Sequence, residues 1–200
     1  MSQIKDITEK FYTSISNGEI EVIDSFLDEE DYQKLMTTMY SSSQFKWSVS
    51  RCLSGEKFAG DPKFNIQFTH LFYSNGNSSG PGEVFSDHYG LIEPMLNKLD
   101  GDILVKVKAN FTVNRNLKYK QGFHVDMPKV LTGIGKTAIF YVNETNGGTL
   151  FGTDQYVDGI ANRIVIFPNN LPHTAVTHDD DSPERLVINL NWIYSKYVKV

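Results

Sequence analysis

A chain of 200 residues with 40% apolar and 12% aromatic content is globular, not disordered, and long enough for one domain with a substantial core. Its formal net charge of −5 argues against a nucleic-acid polyanion as the main partner, because such proteins carry a basic surface. No apolar run approaches the roughly 20 residues that span a bilayer, the first residues lack the apolar stretch of a signal peptide, and the single cysteine, Cys52, allows no intrachain disulfide, so a reducing cytoplasm is the expected location and no membrane is expected as partner.

Residues 2–40 are expected to be helical. Ile4, Ile7, Phe11 and Ile15 recur at helical spacing, and Asp28 is a candidate N-cap for a second run that ends near Tyr40. Gly18 and Ser41-Ser42-Ser43 punctuate these runs. Aromatic and β-branched alternation predicts strands over 44–53 and 64–74, and the Gly, Ser and Asn content of 74–82 predicts a loop able to close over a site. Residues 87–99 read as a helix with Pro94 as an irregularity inside it.

From Ile103 onward the pattern is one of strands. Val105, Val107, Ala109 and Phe111 share one face, while Lys106, Lys108, Asn110 and Thr112 share the other. Residues 136–142 form a strand, Asn146-Gly147-Gly148 signals a turn, and Thr149 to Phe151 continues as a strand. Ile164 to Phe167 reads as a buried strand closed by Pro168-Asn169-Asn170. In the last strand, Arg185 to Trp192, residues Leu186, Ile188 and Leu190 oppose Arg185, Val187, Asn189 and Asn191. Helices first and closely spaced strands afterwards give an α+β class, mainly β.

His124 and Asp126 stand at i and i+2, so on a strand both project from the same face and reach one ion. His173 follows a turn at Pro172 and reaches the pair if the sheet rolls into a barrel or sandwich. Two imidazoles and one carboxylate make the facial triad of non-heme Fe(II) oxygenases. His178, five residues on, is a third candidate on the opposite face of the His173 strand, so one of the two can point inward and the other is expected at the surface. Arg185 presents a two-pronged donor suited to a co-substrate carboxylate. The same donor set could hold Zn in a hydrolase, and the same barrel could be a non-catalytic binding module; Arg185 has no evident use in the hydrolase, and the intact triad with Arg185 speaks against the binding module. His70, His88, Trp47 and Trp192 read as structural. The basic run Lys106, Lys108, Arg115, Lys118 and Lys120 reads as a solvated face more readily than as a guide for anions, and Thr177 to Glu184 reads as a solvated turn.

Several segments, in order, resemble the Fe(II)/2-oxoglutarate-dependent oxygenases, in their prolyl-hydroxylase-like branch. They are Gly122-Phe123-His124-Val125-Asp126, the Thr-x-x-x-Tyr-Val-Asn pattern of Thr137 to Asn143, Asn146-Gly147-Gly148-Thr149-Leu150-Phe151, Asn162 to Phe167 followed by Pro172-His173, and Arg185 to Trp192. The resemblance covers about residues 103–193, and the whole resembles short stand-alone members encoded by phages, which would act in a host cytoplasm. It implies a double-stranded β-helix, a jelly-roll or cupin-like barrel with N-terminal flanking helices. One oxygenase domain would span 1–200, with 1–100 as support and 101–195 as the barrel core. It implies His124, Asp126 and His173 as Fe(II) ligands and catalytic centre, and Arg185 as the partner of the distal carboxylate of 2-oxoglutarate. Tyr141 would assist Arg185, Asn189 would line the pocket, and Lys108 and Asn110 are weaker candidates. O2 is the oxidant, with ascorbate as an aid, and the reaction is hydroxylation of an unactivated C–H of a protein side chain such as proline, or of a small molecule. Collagen-type prolyl hydroxylases commonly carry Lys where Arg185 stands, which leaves the prolyl assignment open.

Overall fold

The computed structural model describes residues 20–51, 66–76 and 82–198. The helical pattern of residues 2–18 and most of the 74–82 loop lie outside these residues. No helix among the described residues is long and apolar enough to cross a membrane.

The helical expectation for 2–40 is corrected in part: Glu21–Ile23 is a short strand, β1, and α1 begins only at Glu29, running to Ser41. Glu29, Glu30 and Asp31 occupy its first turn, where carboxylates meet the positive end of the helix dipole. Asp28 holds the N-cap position in extended conformation but makes no capping hydrogen bond. Its carboxylate pairs with Lys98 Nζ at 3.0 Å instead. The helix expected over 87–99 is split into a 3-10 turn, Tyr89–Leu91, and α2, Glu93–Lys98. Pro94 sits in the first turn of α2, where the missing N–H has no intrahelical partner to lose.

Among the described residues the strands form two sheets. Their order in the larger is β1 (Glu21–Ile23), β9 (Arg163–Pro168), β6 (Gly135–Tyr141), β11 (Glu184–Ile193), β5 (Ile103–Val113), β3 (Ile66–Ser74) and β2 (Ser48–Arg51), with β4 (Glu83–Val84) also paired to β3. The smaller sheet is β10 (His173–Val176), β7 (Thr145–Phe151) and β8 (Tyr156–Gly159). All pairings are antiparallel. The class is mainly β, a jelly-roll double-stranded β-helix.

Alternation on the larger sheet separates a helix-facing layer from an interior layer. Val107, Ala109, Ala138, Phe140, Ile164, Ile166, Leu186 and Ile188 pack with Leu35, Met39, Ile92 and Met95 of the helical layer. Ile139, Tyr141, Val165, Phe167 and Val187 turn the other way, onto Phe151 and Val157 of the smaller sheet. Burying a side chain such as Ile188 or Phe140 stabilises by roughly 1.5–3 kcal/mol. A one-residue slip of β11 would carry Arg185 and Asn189 into that apolar layer, so the core fixes the register that aims the site.

Asn146-Gly147-Gly148 is not a turn. The chain reverses at residues 142–144, and the glycines lie inside β7, where the pairing with β8 shifts register between Thr145 and Gly148. A Cβ on Gly148 would lie 2.3 Å from Val157 O, and one on Gly147 2.7 Å from Val176 O. The glycines therefore mark a bulge pressed between two neighbouring backbones.

Candidate metal centre

His124 and Asp126 do not lie on a regular strand, as their spacing suggested. They lie on the irregular segment that follows β5 and runs antiparallel to β10, attached by isolated bridges at Lys120–Val176 and His124–His173. Gly122 takes φ 113°, a region open mainly to glycine, just before His124. Its N–H donates to Thr174 Oγ1 at 2.9 Å, and the peptide groups of His124 and His173 then exchange both hydrogen bonds at 3.0 Å. This bridge brings two residues distant in sequence side by side.

The nitrogen donors of His124 and His173 and a carboxylate oxygen of Asp126 lie within 4.8 Å of one another. His124 Nε2 is 3.5 Å from Asp126 Oδ1, and His173 Nε2 is 3.9 Å from Asp126 Oδ2. Each imidazole keeps Nδ1 near a backbone carbonyl, Gly122 O at 3.1 Å and Leu171 O at 3.2 Å. Those carbonyls select the tautomer with hydrogen on Nδ1 and leave both Nε2 lone pairs directed at the shared point. His173 Nε2 is buried and has no hydrogen-bond partner. A buried acceptor without a donor is costly, and a metal ion at the shared point would satisfy it. Asn189 Nδ2 donates to Asp126 Oδ2 at 3.3 Å and orients the carboxylate.

The charges suit a cation. Burial would raise the Asp126 pKa, but the His124 hydrogen bond and the charges of both imidazoles and Lys108 hold it well below the usual carboxylate range. Asp126 is thus an anion at any ordinary pH. Burial pushes His173 below its usual value, with Asp126 partly opposing. Burial acts the same way on His124, but the hydrogen bond and charge of Asp126 prevail and raise it. A divalent cation at the shared point would displace the proton that Asp126 favours on His124, and two imidazole nitrogens with one carboxylate are then a donor set for Fe, Mn or Zn that leaves coordination positions open.

The triad opens onto a cavity of about 410 Å³ between the sheets. Arg185, only 5% exposed, lines it from β11. One of its terminal nitrogens donates to Gly148 O at 3.3 Å, and its Nε has no partner. Tyr141 does not line the cavity. Its ring lies 5.6 Å from the guanidinium and its hydroxyl donates to Thr149 Oγ1 at 2.7 Å, so it stands behind Arg185 and Thr149. Asn189 and Asn110 both line the cavity. So does Lys108, which corrects the reading of the basic run as a solvated face at that position.

His178 is buried, not at the surface. It lies beyond the end of β10 with Nε2 3.1 Å from Ser182 O, away from the triad. The segment expected as a solvated turn is tied down as well, with Asn114 Nδ2 donating to the carbonyls of Asp180 and Ser182. Ser50, Gln67, Gln121 and Thr149 also line the cavity. Thr149 could have been found from strand alternation; Ser50, Gln67 and Gln121 carry no local signal, because the fold alone brings them there.

No protein-family model matches the sequence, and no curated protein matches it. Solved structures match in fold. An oxidoreductase of the 2OG-Fe(II) oxygenase family from Burkholderia pseudomallei superposes with a TM-score of 0.63 at 9% identity, covering 92% of this chain and 89% of its own. A prolyl hydroxylase from Trichoplax adhaerens, in complex with a hypoxia inducible factor oxygen degradation domain peptide fragment, gives 0.58 at 14% identity, over 98% of this chain and 92% of its own. SnoN, a non-heme alpha ketoglutarate dependent epimerase from nogalamycin biosynthesis, gives 0.56 at 13% identity, over 96% and 84%. The chain has the fold of the 2OG-Fe(II) oxygenases, a fold that carries hydroxylation in one neighbour and epimerisation in another.

Proposed function

We propose that this chain is an Fe(II)- and 2-oxoglutarate-dependent dioxygenase that hydroxylates an unactivated C–H bond. The observation that carries the reading is Arg185, a buried guanidinium with an unpartnered Nε, opening on the same cavity as two imidazoles and a carboxylate. A hydrolytic Zn site has no evident use for it, and the complete triad beside it speaks against a non-catalytic binding module. His124, Asp126 and His173 would hold the metal through Nε2, a carboxylate oxygen and Nε2. Bound Fe(II) supplies redox chemistry in which 2-oxoglutarate, O2 and a C–H become succinate, CO2 and a C–OH.

The remaining steps belong to the protein's own groups. Gly122 O and Leu171 O keep hydrogen on each Nδ1, and Asn189 keeps the Asp126 carboxylate turned to the shared point. Arg185 receives the distal carboxylate of 2-oxoglutarate, with Gly148 O and the Tyr141 ring fixing the guanidinium plane. Ile139, Ala175 and Val187 add apolar surface to the cavity lining, and the burial of Arg185 itself strengthens the ion pair. The Trichoplax neighbour holds a peptide, which supports a protein side chain such as proline as one candidate substrate. A small molecule is the other.

Purified protein given Fe(II), ascorbate, O2 and 2-oxoglutarate is expected to form succinate slowly without a primary substrate, and Asp126→Ala is expected to abolish this. Equal succinate formation by wild type, the variant and a metal-free control would overturn the proposal. Activity with Zn in place of Fe(II) would favour the hydrolase.

A further inference from the structure

Arg185 is a buried charge that the described residues leave without a counter-ion. Its side chain is nearly enclosed, its Nε has no partner, and its neighbours are Gly148 O at 3.3 Å and the Tyr141 ring. No carboxylate among the described residues pairs with it. The register explains this isolation. Arg185 lies opposite Thr112 of β5, whose hydroxyl donates to the Arg185 carbonyl at 3.3 Å, and the pairing of β11 with β6 begins only at Val187. Burial pushes the Arg185 pKa below its usual value, yet a guanidinium stays protonated in any ordinary buffer.

The metal ligands differ from it. Without any ion, Asp126 already has His124 Nε2 at 3.5 Å, His173 Nε2 at 3.9 Å and the Asn189 amide at 3.3 Å. The metal-free chain therefore keeps its buried carboxylate partnered and its buried guanidinium unpaired. An ion held in a dry interior without a partner is costly, and a small anion at Arg185 relieves that cost. The groups that would receive it are fixed by β7 and β11, not by the triad. Thr149 lines the same cavity, and its Oγ1 accepts the Tyr141 hydroxyl at 2.7 Å, so its own hydrogen is left for an anion. Val187, two residues along the same face of β11, gives an aliphatic stem a surface to lie on.

Building on the oxygenase reading, we propose that Arg185 is a carboxylate site that works without the metal. The metal-free chain then captures short aliphatic dicarboxylates, the co-substrate needs no metal to be loaded first, and other dicarboxylates compete for the same place. The test is calorimetric titration of the full chain, stripped of metal, with glutarate and with its uncharged diamide, glutaramide. Glutarate has the carbon chain of 2-oxoglutarate but lacks the keto oxygen, and the diamide keeps its shape without its charge. Glutarate is expected to bind metal-free wild type about 10-fold or more tightly than glutaramide, the range expected for a charge-assisted hydrogen bond. Arg185→Met is expected to bring the pair to near equality, and Arg185→Lys, which keeps the charge, to keep the preference. A Mn(II)-dependent rise in Tm shows that each variant is folded. The wild-type comparison alone overturns the inference if metal-free chain does not prefer glutarate. A preference that survives in Arg185→Met overturns it too, since the anion would then be held elsewhere. Titration of Mn(II)-loaded wild type with 2-oxoglutarate separates the two proposals. Binding there without glutarate binding to the metal-free chain means that the metal makes the site, and this inference falls alone. Failure of 2-oxoglutarate to bind the Mn(II)-loaded chain removes the oxygenase reading instead.

Discussion

His124 and His173 exchange both backbone hydrogen bonds across an isolated antiparallel bridge, and their rings lie 4.7 Å apart between centroids. A metal ion between their Nε2 atoms and Asp126 would therefore clamp the 119–124 segment to β10. Ligands that bind only the folded state stabilise it by mass action. Mn(II) at about 100 times its dissociation constant adds about 2.7 kcal/mol, which for a chain of this size raises Tm by roughly 5–10 °C. In Asp126→Ala and His173→Ala this metal-dependent rise is expected to vanish. A rise of the same size in either variant, read by differential scanning calorimetry, would place the metal elsewhere.

Arg185 offers a second, separable handle. Its guanidinium lies beyond the triad's hydrogen bonds, so Arg185→Ala is expected to keep the Mn(II)-dependent rise in Tm. The same variant loses charge-assisted hydrogen bonds to 2-oxoglutarate and is expected to bind it about 1.5–3 kcal/mol more weakly. Arg185→Lys keeps the charge without the fork and falls between. Titration of the Mn(II)-loaded proteins with 2-oxoglutarate measures both, and equal affinity in wild type and Arg185→Ala would remove the role.

The two faces of β5 and β11 were legible in the sequence, because a period of two over ten residues has one reading, whereas the double-stranded β-helix was legible only through the family resemblance of the ordered segments from Gly122 to Trp192. The short strands β1, β4, β8 and β10 were not, since two to four residues hold no period. The Asn146-Gly147-Gly148 reading failed for a different reason. A glycine pair is the same local signal whether the chain turns or a neighbouring backbone presses on it, and only the approach of Val157 and Val176 decides. Lys108 was read as part of a solvated basic run, because charge ordinarily is solvated, and only the family resemblance made it a pocket candidate. Closure of the two sheets over the polar face of β5 overrides that rule, and no local pattern announces such closure.

The glycine pair yields a stability prediction. A Cβ at Gly148 would lie 2.3 Å from the Val157 carbonyl oxygen, a backbone atom in the paired strand that has no rotamer to change. Gly148→Ala is expected to cost roughly 1–3 kcal/mol of stability by overpacking, and to weaken 2-oxoglutarate binding, because the Gly148 carbonyl holds Arg185. Gly152 is the control, since a Cβ there meets nothing closer than Pro172 O at 3.4 Å. Gly152→Ala is expected to stay within about 0.5 kcal/mol of wild type. Equal denaturation midpoints for the two variants would show that the bulge gives way freely.

His70 ties acid stability to packing outside the cavity. Its ring stacks on Phe45 at 4.0 Å, Nδ1 lies 2.7 Å from Lys46 O, and Nε2 lies 2.7 Å from Ser86 Oγ. Ser86 Oγ already accepts the His88 N–H at 3.0 Å, so its own hydrogen is available to His70 Nε2, and the neutral ring fits both neighbours. Burial pushes the His70 pKa below its usual value, with the Lys46 carbonyl opposing and His88 adding to the shift. The unfolded chain, whose histidines titrate near pH 6.5, therefore binds a proton before the folded one does. His70 contributes its full share of stability above about pH 6.5, and that share is lost as pH falls through the lowered folded value. Burial lowers His173 and His178 too, so their contributions have the same sign and the test is a difference. His70→Phe keeps a ring against Phe45 and removes the titration. Denaturant unfolding of the metal-free proteins between about pH 7.5 and about 5.5 is expected to show wild type losing stability more steeply than the variant. Parallel pH curves would mean that His70 takes up its proton in the folded chain as readily as in the unfolded one.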